Sequence, residues 1–191
     1  MTESPNPAVI DADTLTGDMH PIRRAVIALG SNLGERMYAL QGAVDALGDT
    51  PEVWLTGVSP VYETEPVDAP EGSRSYLNAV VTLDTTLSAR TLLERAHAVE
   101  AAYGRERDAE APVNSPRTLD VDLIVVGDRH ADDENLRLPH PRAAERAFVL
   151  APWFDLESDA EIAGYGTVAE LLEKVGLDGV VRRDDLTLEV Q

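Results

Sequence analysis

The sequence contains no cysteine, which excludes disulfide bonds, thiolate metal ligands and cysteine nucleophiles. Its four histidines are scattered, and no two of them have the spacing of a helical metal site. Phenylalanine and tryptophan are scarce, with two of each. We therefore expect neither a zinc enzyme nor cysteine chemistry.

Basic residues are also in short supply. The chain has 16 Lys and Arg against 35 Asp and Glu, which gives a formal net charge of −19. A charge of this sign disfavours unspecific binding to nucleic acid or to an anionic membrane surface. All the cations except Lys174 are arginine. A phosphate site in this chain would therefore be an arginine site, which suits bidentate contact with phosphate oxygens.

No apolar run approaches the length needed to span a bilayer, and the first twenty residues lack the basic and apolar regions of a signal peptide. We predict a cytoplasmic protein that does not bind membranes. The 191 residues are enough for one domain with trailing sequence, and their composition is that of a globular protein. Residues 1–22 are predicted to be a disordered acidic extension, and residues 23–191 a single domain.

Periodicity in the first half of the domain predicts a strand, a helix and further strands. The apolar run Ala25–Leu29 predicts a buried strand that enters a turn at Gly30. A helical period then runs from residue 35 to Gly48. Residues 53–62 return to a strand pattern, in which Gly57 is a candidate bulge and Pro60 favours a sheet edge.

The second half repeats this order. Alternating residues over 76–83 predict an amphipathic strand, and Ser88 is the predicted cap of a helix that ends at Gly104. Leu119–Val126 is the last strand of the series, and a further helix is expected at Val168–Val175. The βαββαβ succession predicts an α+β, ferredoxin-like sandwich, with an antiparallel sheet and helices packed on one face.

The most informative motif is the pair Asp120 and Asp122. In a strand these two carboxylates project from one face about 7 Å apart, an arrangement that suits Mg²⁺ shared with substrate phosphates. A solvated strand face is the commoner explanation of an isolated Asp-x-Asp. Three preceding arginines, Arg105, Arg107 and Arg117, favour the metal–phosphate site instead.

Other candidates are weaker on their own. The turn after Leu29 lacks the pattern of a P-loop or of a dinucleotide fingerprint and is interpreted as a tight turn. His140 lies between two prolines, where it would contact a phosphate or a leaving group, although a surface histidine without a role is equally compatible. Tyr76 and Phe148 are candidates for stacking on a flat heterocycle, or for ordinary packing.

Together these segments resemble one family, the 6-hydroxymethyl-7,8-dihydropterin pyrophosphokinases of folate synthesis. The matching segments follow the family order over residues 25–155. They are Ala28–Gly34, Ser59–Thr64, Tyr76–Val80, Pro116–Leu123, Leu138–Pro141 and Arg146–Phe148. The segment Pro-Arg-Thr-Leu-Asp-x-Asp is the most specific of them.

The resemblance implies transfer of the β,γ-pyrophosphoryl group of ATP to the pterin's hydroxymethyl oxygen, with release of AMP. It implies that Asp120 and Asp122 hold two Mg²⁺ ions and act in catalysis with Arg107 and Arg117. The implied ATP-binding residues are Arg105, Arg107, Arg117, His140, Glu100 and His97. The implied pterin-binding residues are Thr64, Pro66, Val67, Tyr76, Asn78, Phe148 and Arg146. We also predict a monomer whose only partners are these two small molecules.

The chain departs from the family pattern in two places. Ala111–Ser115 stands where the family usually has an Arg-Trp-Gly stretch, in a polar segment, 105–115, that is predicted to be a mobile lid. Asn135 and Arg137 stand where the family often has a phosphate-contacting arginine and a threonine, so that the cation is expected two residues later.

Two other functions remain compatible with the pattern. A noncatalytic ferredoxin-like binding module, such as an RNA-binding domain, would need a basic face and exposed aromatic residues on its central strands. The acidic charge disfavours it. A relative that has lost its activity through the altered loop is disfavoured because Asp120, Asp122, Arg117 and His140 are present.

Overall fold

The computed structural model describes residues 20–66, 71–103 and 118–191. The elements follow one another as β1 (Arg23–Ser31), α1 (Arg36–Gly48), β2 (Val53–Val58), β3 (Tyr62–Thr64), β4 (Tyr76–Thr85), α2 (Ala89–Ala102), β5 (Asp120–Val126), β6 (Ala131–Asp132), β7 (Arg137–Leu138), a 3₁₀ turn (Ala143–Glu145), α3 (Ala147–Leu156), β8 (Glu161–Ile162), β9 (Gly166–Thr167), α4 (Val168–Val175) and β10 (Val180–Arg182). The predicted extension lies almost entirely outside these ranges. No helix within them is long and apolar enough to cross a bilayer.

The main sheet is antiparallel and has the strand order β10-β3-β4-β1-β5, with β2 also paired to β4. The long central pair β1 and β4 runs in register from Arg23 opposite Thr85 to Ser31 opposite Leu77. Helices α1 and α2 connect the strands in the predicted βαββαβ order. The predicted α+β class is therefore confirmed.

One face of the sheet is buried along the length of its central strands. Alternate residues of β1 and β4, such as Ile27, Leu29 and Leu77, pack against apolar residues of α1 and α2, such as Leu40 and Leu92. The period of two in the strands and the helical period in α1 and α2 meet on this face. It forms the larger of the two hydrophobic cores.

The other face is covered by α3 and α4, so the expectation of helices on one face holds for α1 and α2 but was wrong for the whole domain. Val26, Val80 and Ile124 of the sheet pack against Leu150 and Trp153 of α3. The sequence predicted α4 with its observed bounds, and Thr167 and Glu170 form a capping box at its start. Helix α3 was not predicted, because its apolar residues are nearly continuous and Pro152 lies inside it.

The β pattern of residues 53–62 resolves into two short strands. Both β2 and β3 pair with β4, and the register of the β2–β4 pair shifts between Leu55 and Gly57, which confirms the predicted bulge. Pro60 has no N–H to donate, and it falls in the break between the two strands. Ser59 spans the break, because its backbone N–H donates to the carbonyl of Val80 at 2.9 Å.

The C-terminal segment contacts both the sheet and α1. Strand β10 pairs with β3 and forms the edge of the sheet. The chain then returns to α1, where Leu188 is 8% exposed in the larger core. Gln41 of α1 donates to the carbonyl oxygen of Glu189 at 2.8 Å and accepts from its N–H at 3.0 Å.

Candidate active site

The candidate site lies on the face of the sheet that carries α3, one row of residues beyond the apolar cluster. Asn78 of β4, Gly30 of β1 and Asp120 of β5 are direct neighbours across three strands. Ala28 and Val80 are paired with each other and lie two residues away from Gly30 and Asn78 on the same face. Both belong to the apolar cluster under α3. The same face therefore changes from apolar to polar over two residues of each strand.

Gly30 makes room in the middle of this row. A Cβ atom at this position would lie 3.3 Å from Asn78 Oδ1, 3.7 Å from Tyr76 Cδ1 and 4.0 Å from Asp120 Cβ. The absence of a side chain leaves a floor of backbone between an amide, an aromatic ring and a carboxylate. The sequence placed Gly30 in a turn after the strand, whereas the structure places it within β1, so that interpretation was wrong.

The two aspartates project from β5 on the side of Gly30. Asp120 is paired with Gly30 and Asp122 with Ala28, and both are partly exposed while Val121 between them is buried. The start of the strand is fixed by Ser31, whose buried hydroxyl donates to the carbonyl of Thr118 at 2.5 Å. The predicted common face of the two carboxylates is therefore present.

A cleft of about 370 Å³ runs along the free edge of β5, between α2 and the residues around β7. Its walls are Leu93, His97, Glu100, Val121, Asp122, Leu123, Glu134, Asn135, Leu136, Arg137, His140 and Pro141. Glu100 is only 2% exposed, and its Oε1 accepts from the N–H of Val121 at 2.9 Å. This contact holds α2 against β5 at the edge of the cleft.

His140 lines the same cleft as Asp122 and is close enough to feel the charge of that carboxylate. Its backbone N–H donates to the carbonyl of Ile124 at 2.8 Å, which fixes the loop to the end of β5. Its Nδ1 accepts from the N–H of Arg142 at 3.2 Å. In the neutral ring the proton therefore lies on Nε2, which is a donor. Burial lowers the pKa of His140, while the carboxylate of Asp122 acts in the opposite direction.

Arg146 brings a cation close to the two aspartates. Burial lowers its pKa, and the negative charges of Asp122 and Asp120 oppose that effect. Its guanidinium carbon lies 5.5 Å from the ring centroid of Phe148, at the start of α3. Phe148 itself is partly buried against the core under α3. Arg146 therefore links the acidic pair to an aromatic ring.

The amide of Asn78 is fixed from the neighbouring strand. Its Nδ2 donates to Thr64 Oγ1 at 2.7 Å, and both residues are buried. This orientation directs Oδ1 towards the space above Gly30. Tyr76 is the partner of Thr64 in the β3–β4 register and is partly exposed, and Pro66 follows two residues after Thr64.

Tyr62 completes the row on β3, and the sequence analysis did not identify it. It is the neighbour of Asn78, and its hydroxyl donates to Asp155 Oδ2 of α3 at 2.5 Å. Burial and then this hydrogen bond raise the pKa of Tyr62 to about 12. The strand that carries Thr64 is thus fixed to α3. Tyr62 belongs to the segment Ser59–Thr64 that matches the family pattern, but nothing in that segment indicated a bond to α3.

Several predicted site residues lie outside the described residues: Val67, Arg105, Arg107, Arg117 and the lid segment 105–115. The structure brings Asp120, Asp122, His140 and Arg146 together at one side of Gly30. Thr64, Tyr76 and Asn78 lie at the other side, and His97 and Glu100 line the cleft. Sequence reasoning did not identify Leu93 and Leu136 as cleft walls, although Leu93 lies one helical turn before His97.

The donor set can be tested against Mg²⁺. Within the described ranges, no group of three or more acidic or imidazole side chains forms a cation site by itself. Mg²⁺ is usually held by one or two carboxylates together with substrate phosphates and water. The two carboxylates of β5, beside an open cleft, fit that requirement.

Comparison with known proteins agrees with this site. The family described as 7,8-dihydro-6-hydroxymethylpterin-pyrophosphokinase matches residues 26–158. A 2-amino-4-hydroxy-6-hydroxymethyldihydropteridine pyrophosphokinase of Pseudomonas aeruginosa is 38% identical over 161 residues, which cover 84% of this chain and 97% of that protein. An enzyme of the same name from Mycobacterium leprae is 40% identical over 185 residues, covering 88% of this chain and 92% of that protein.

Solved structures show the same fold. A chain of a Plasmodium falciparum HPPK-DHPS triple mutant with pteroate superposes with a TM-score of 0.65 at 12% identity. The match covers 86% of this chain and 47% of that chain, so this protein spans about half of its length. The ferredoxin-like prediction is confirmed by this likeness.

The family predicted from the sequence motifs is thereby confirmed, and so is the enzyme class, a pyrophosphokinase of folate synthesis that uses ATP. A noncatalytic binding module is not favoured. The chain belongs to the 7,8-dihydro-6-hydroxymethylpterin-pyrophosphokinase family.

Proposed function

We propose that this chain transfers the pyrophosphoryl group of ATP to the hydroxymethyl oxygen of 6-hydroxymethyl-7,8-dihydropterin and releases AMP. The observation that carries the proposal is the row of Asn78, Gly30 and Asp120. It sets a space bounded by an amide and an aromatic ring directly beside a pair of carboxylates. Such a row serves a reaction between a flat heterocycle and a metal-bound polyphosphate.

ATP belongs in the cleft along β5. Leu93 and Leu136 offer apolar walls for the base, while Asp122 and His140 offer polar groups for the phosphates. His97 and Glu100 are the polar groups of α2 in this cleft. We assign Arg105, Arg107 and Arg117 to the phosphates on the resemblance described above, and Arg137, which lines the cleft, as a further cation for them.

Asp120 and Asp122 are the residues that would hold Mg²⁺, and we propose two ions. Bound there, Mg²⁺ supplies charge neutralisation to the phosphates. Arg146 lies close enough to both carboxylates to limit their mutual repulsion before substrates arrive. The other residues assigned to the site bind and orient ATP and the pterin.

The pterin belongs over Gly30. Asn78 Oδ1, fixed by the hydrogen bond of Nδ2 to Thr64, is positioned to accept from a ring N–H. Tyr76 and Phe148 provide aromatic surface, and we assign Pro66 and Val67 to the pterin on the resemblance described above. The hydroxymethyl group would then point across Gly30 towards Asp120.

The chemistry needs no protein nucleophile. The hydroxymethyl oxygen attacks the β-phosphorus, the bond from that phosphorus to the oxygen on the α-phosphate breaks, and AMP leaves with the bonding electrons while the hydroxyl proton passes to water. Because such transition states are loose, catalysis consists mainly of positioning and charge stabilisation. Neutral His140 donates from Nε2 to a phosphate oxygen.

The proposal extends to the organisation of the protein. Residues 23–191 act as one catalytic domain, because β10 and the C-terminal residues are part of the same sheet and core. The enzyme works as a monomer in the cytoplasm, where ATP is available.

Measuring AMP formation from ATP, with and without hydroxymethyl dihydropterin, tests the reaction. AMP should appear in equal amount to pyrophosphorylated pterin, and only when pterin and Mg²⁺ are both present. AMP formation that does not depend on the pterin, or release of ADP in place of AMP, would contradict the proposed transfer.

A further inference from the structure

A second polar network lies on the α1 side of β3, behind the pterin side of the site. Glu63 Oε1 accepts from the hydroxyl of Ser75 at 2.6 Å and lies 3.6 Å from Arg36 Nη1 of α1. Arg36 also donates to the carbonyl of Ser75 at 3.0 Å. Glu63 Oε2 is bound by Arg183, which follows β10. The side chains of Glu63, Arg36 and Arg183 are each less than one third exposed.

This network closes the base of the connection between β3 and β4. Glu63 precedes Thr64, and Ser75 precedes Tyr76, so their hydrogen bond joins the two ends of residues 65–75. Thr64 and Tyr76 are partners in the β3–β4 register. Both project to the opposite face, where we place the pterin. A shift of Glu63 relative to Ser75 would therefore move both of them.

Arg183 enters this network from a part of the chain beyond residue 158, where the family match ends. Its backbone N–H donates to the carbonyl of Val61 at 2.8 Å, and Asp185 holds its guanidinium through two hydrogen bonds of 2.8 and 2.7 Å. The backbone of Arg183 is thus fixed at Val61, and Asp185 orients the guanidinium that binds Glu63. A fixed fork of this kind orients a carboxylate better than a lysine would.

The carboxylate of Glu63 is held ionised by its partners. The hydrogen bond from Ser75, followed by that from Arg183, lowers its pKa. The contact between β3 and β10 is reinforced nearby, where the N–H of Glu65 donates to the carbonyl of Gly179 at 3.3 Å. The residues on either side of β10 therefore contact the β3–β4 connection at Glu65 and the side chain of Glu63.

We propose that Arg183 is a positioning residue for the pterin half of the site, acting through Glu63 and Ser75 on Thr64 and Tyr76. The proposal rests on the proposed function, because it concerns the affinity for the pterin substrate. It assigns to the C-terminal segment a role in substrate binding in addition to its packing against α1.

The chain offers a matched control for packing alone. Residues 186–189 are held to α1 by Leu188 and by the two hydrogen bonds of Gln41 with Glu189. Neither group touches Glu63. A Gln41→Ala variant therefore weakens the attachment of the C-terminal segment without removing a contact of Glu63. An Arg183→Gln variant affects both the C-terminal segment and the contacts of Glu63.

Steady-state kinetics of the wild-type, Arg183→Gln and Gln41→Ala proteins test the proposal, with thermal midpoints measured in parallel. Arg183→Gln should raise KM for the pterin about three- to tenfold, the range expected for coupled polar contacts, and change KM for ATP by less than about twofold. Gln41→Ala should lower the thermal midpoint but leave both KM values unchanged. A Glu63→Gln, Arg183→Gln double variant should bind the pterin no more weakly than Glu63→Gln.

Three results would overturn the role of Arg183. They are an unchanged pterin KM in Arg183→Gln, an equal rise of both KM values, and additive effects in the double variant. A wild-type protein that forms no AMP would contradict the proposed function instead. Amide exchange of residues 62–64 and 75–77 would then still decide the matter, since it should be faster in Arg183→Gln than in Gln41→Ala, and equal rates would contradict the proposal.

Discussion

The two faces of the sheet differ in how far their apolar cover extends. On the α1 and α2 side, alternate residues of β4 from Leu77 to Leu83 are buried in one continuous core. On the α3 side, the apolar cluster includes Val80, but the next residue on this face is Asn78. The acidic pair and the proposed pterin position occupy the part of the sheet that α3 leaves polar, while the cleft continues along the edge of β5 to α2. On β4, the residues of the larger core and the residue assigned to the pterin are thus on opposite sides of the same strand.

The largest effect is expected for the carboxylates on the polar part of the face. Asp120→Ala or Asp122→Ala should reduce AMP formation by about 10³-fold, because charge neutralisation at the phosphates is lost. Thermal unfolding should change little, since both side chains are partly exposed. Asp128→Ala, in the exposed turn after β5, is the control. Near wild-type turnover in either site variant would refute the metal-site assignment.

Adjacent residues of β4 separate the two faces directly. Leu77→Ala should lower the free energy of unfolding by about 2–5 kcal/mol, because it leaves a cavity in the larger core. Asn78→Ala should cost about 1 kcal/mol for the lost hydrogen bond to Thr64 and should raise KM for the pterin. Urea unfolding and steady-state kinetics measure the pair. If Leu77→Ala impaired pterin binding as strongly as Asn78→Ala, the two faces would not be functionally distinct.

Two glycines give a matched steric comparison. A Cβ at Gly30 would lie 3.3 Å from Asn78 Oδ1, and one at Gly48 would lie 3.3 Å from Leu55 Cδ1, on the α1 side. Gly30→Ala should lower kcat/KM for the pterin about tenfold, since a methyl group occupies the proposed floor, a loss of about 1.4 kcal/mol. Gly48→Ala should leave the kinetics unchanged. Equal kinetics for the two variants would show that no substrate lies over Gly30.

A smaller, pH-dependent effect on stability is expected at Glu63, on the α1 side of the sheet. Its folded pKa is lowered, so its contribution to stability is present above its unfolded pKa of about 4.5 and is lost as the pH falls through the folded value. The difference in stability between wild type and Glu63→Gln should therefore be constant from pH 7 to about 6 and should shrink below pH 4.5. Urea midpoints from pH 7 to 3 measure it. A difference that does not vary with pH would contradict the ionic role of Glu63.

The sequence predicted the face under α1 and α2 better than the polar part of the opposite face. Helix α1 and strand β4 were predicted nearly at their observed bounds, because a period of 3.6 or 2 is visible where one face is buried. Ser88 was correctly predicted as a cap, and its side chain accepts from the N–H of Thr91. Helix α3 was missed, because an apolar run buried on most sides has no clear period.

The site was predictable in its residues but not in its geometry. The spacing of Asp120 and Asp122 fixed their common face once the strand was identified. The position of Gly30 between Asn78 and Asp120 depends on the register of three strands, which are distant in sequence. The partnership of Glu63 with Arg183 joins positions 120 residues apart, and no local pattern announces it.

A crystal structure with a nonhydrolysable ATP analogue, the pterin and Mn²⁺ as an anomalous scatterer would test the central claim most directly. The account predicts Mn²⁺ bound to the carboxylates of Asp120 and Asp122, the nucleotide in the cleft along β5, and the pterin over Gly30 in contact with Asn78. A metal bound elsewhere, or a pterin lying away from Gly30, would contradict it.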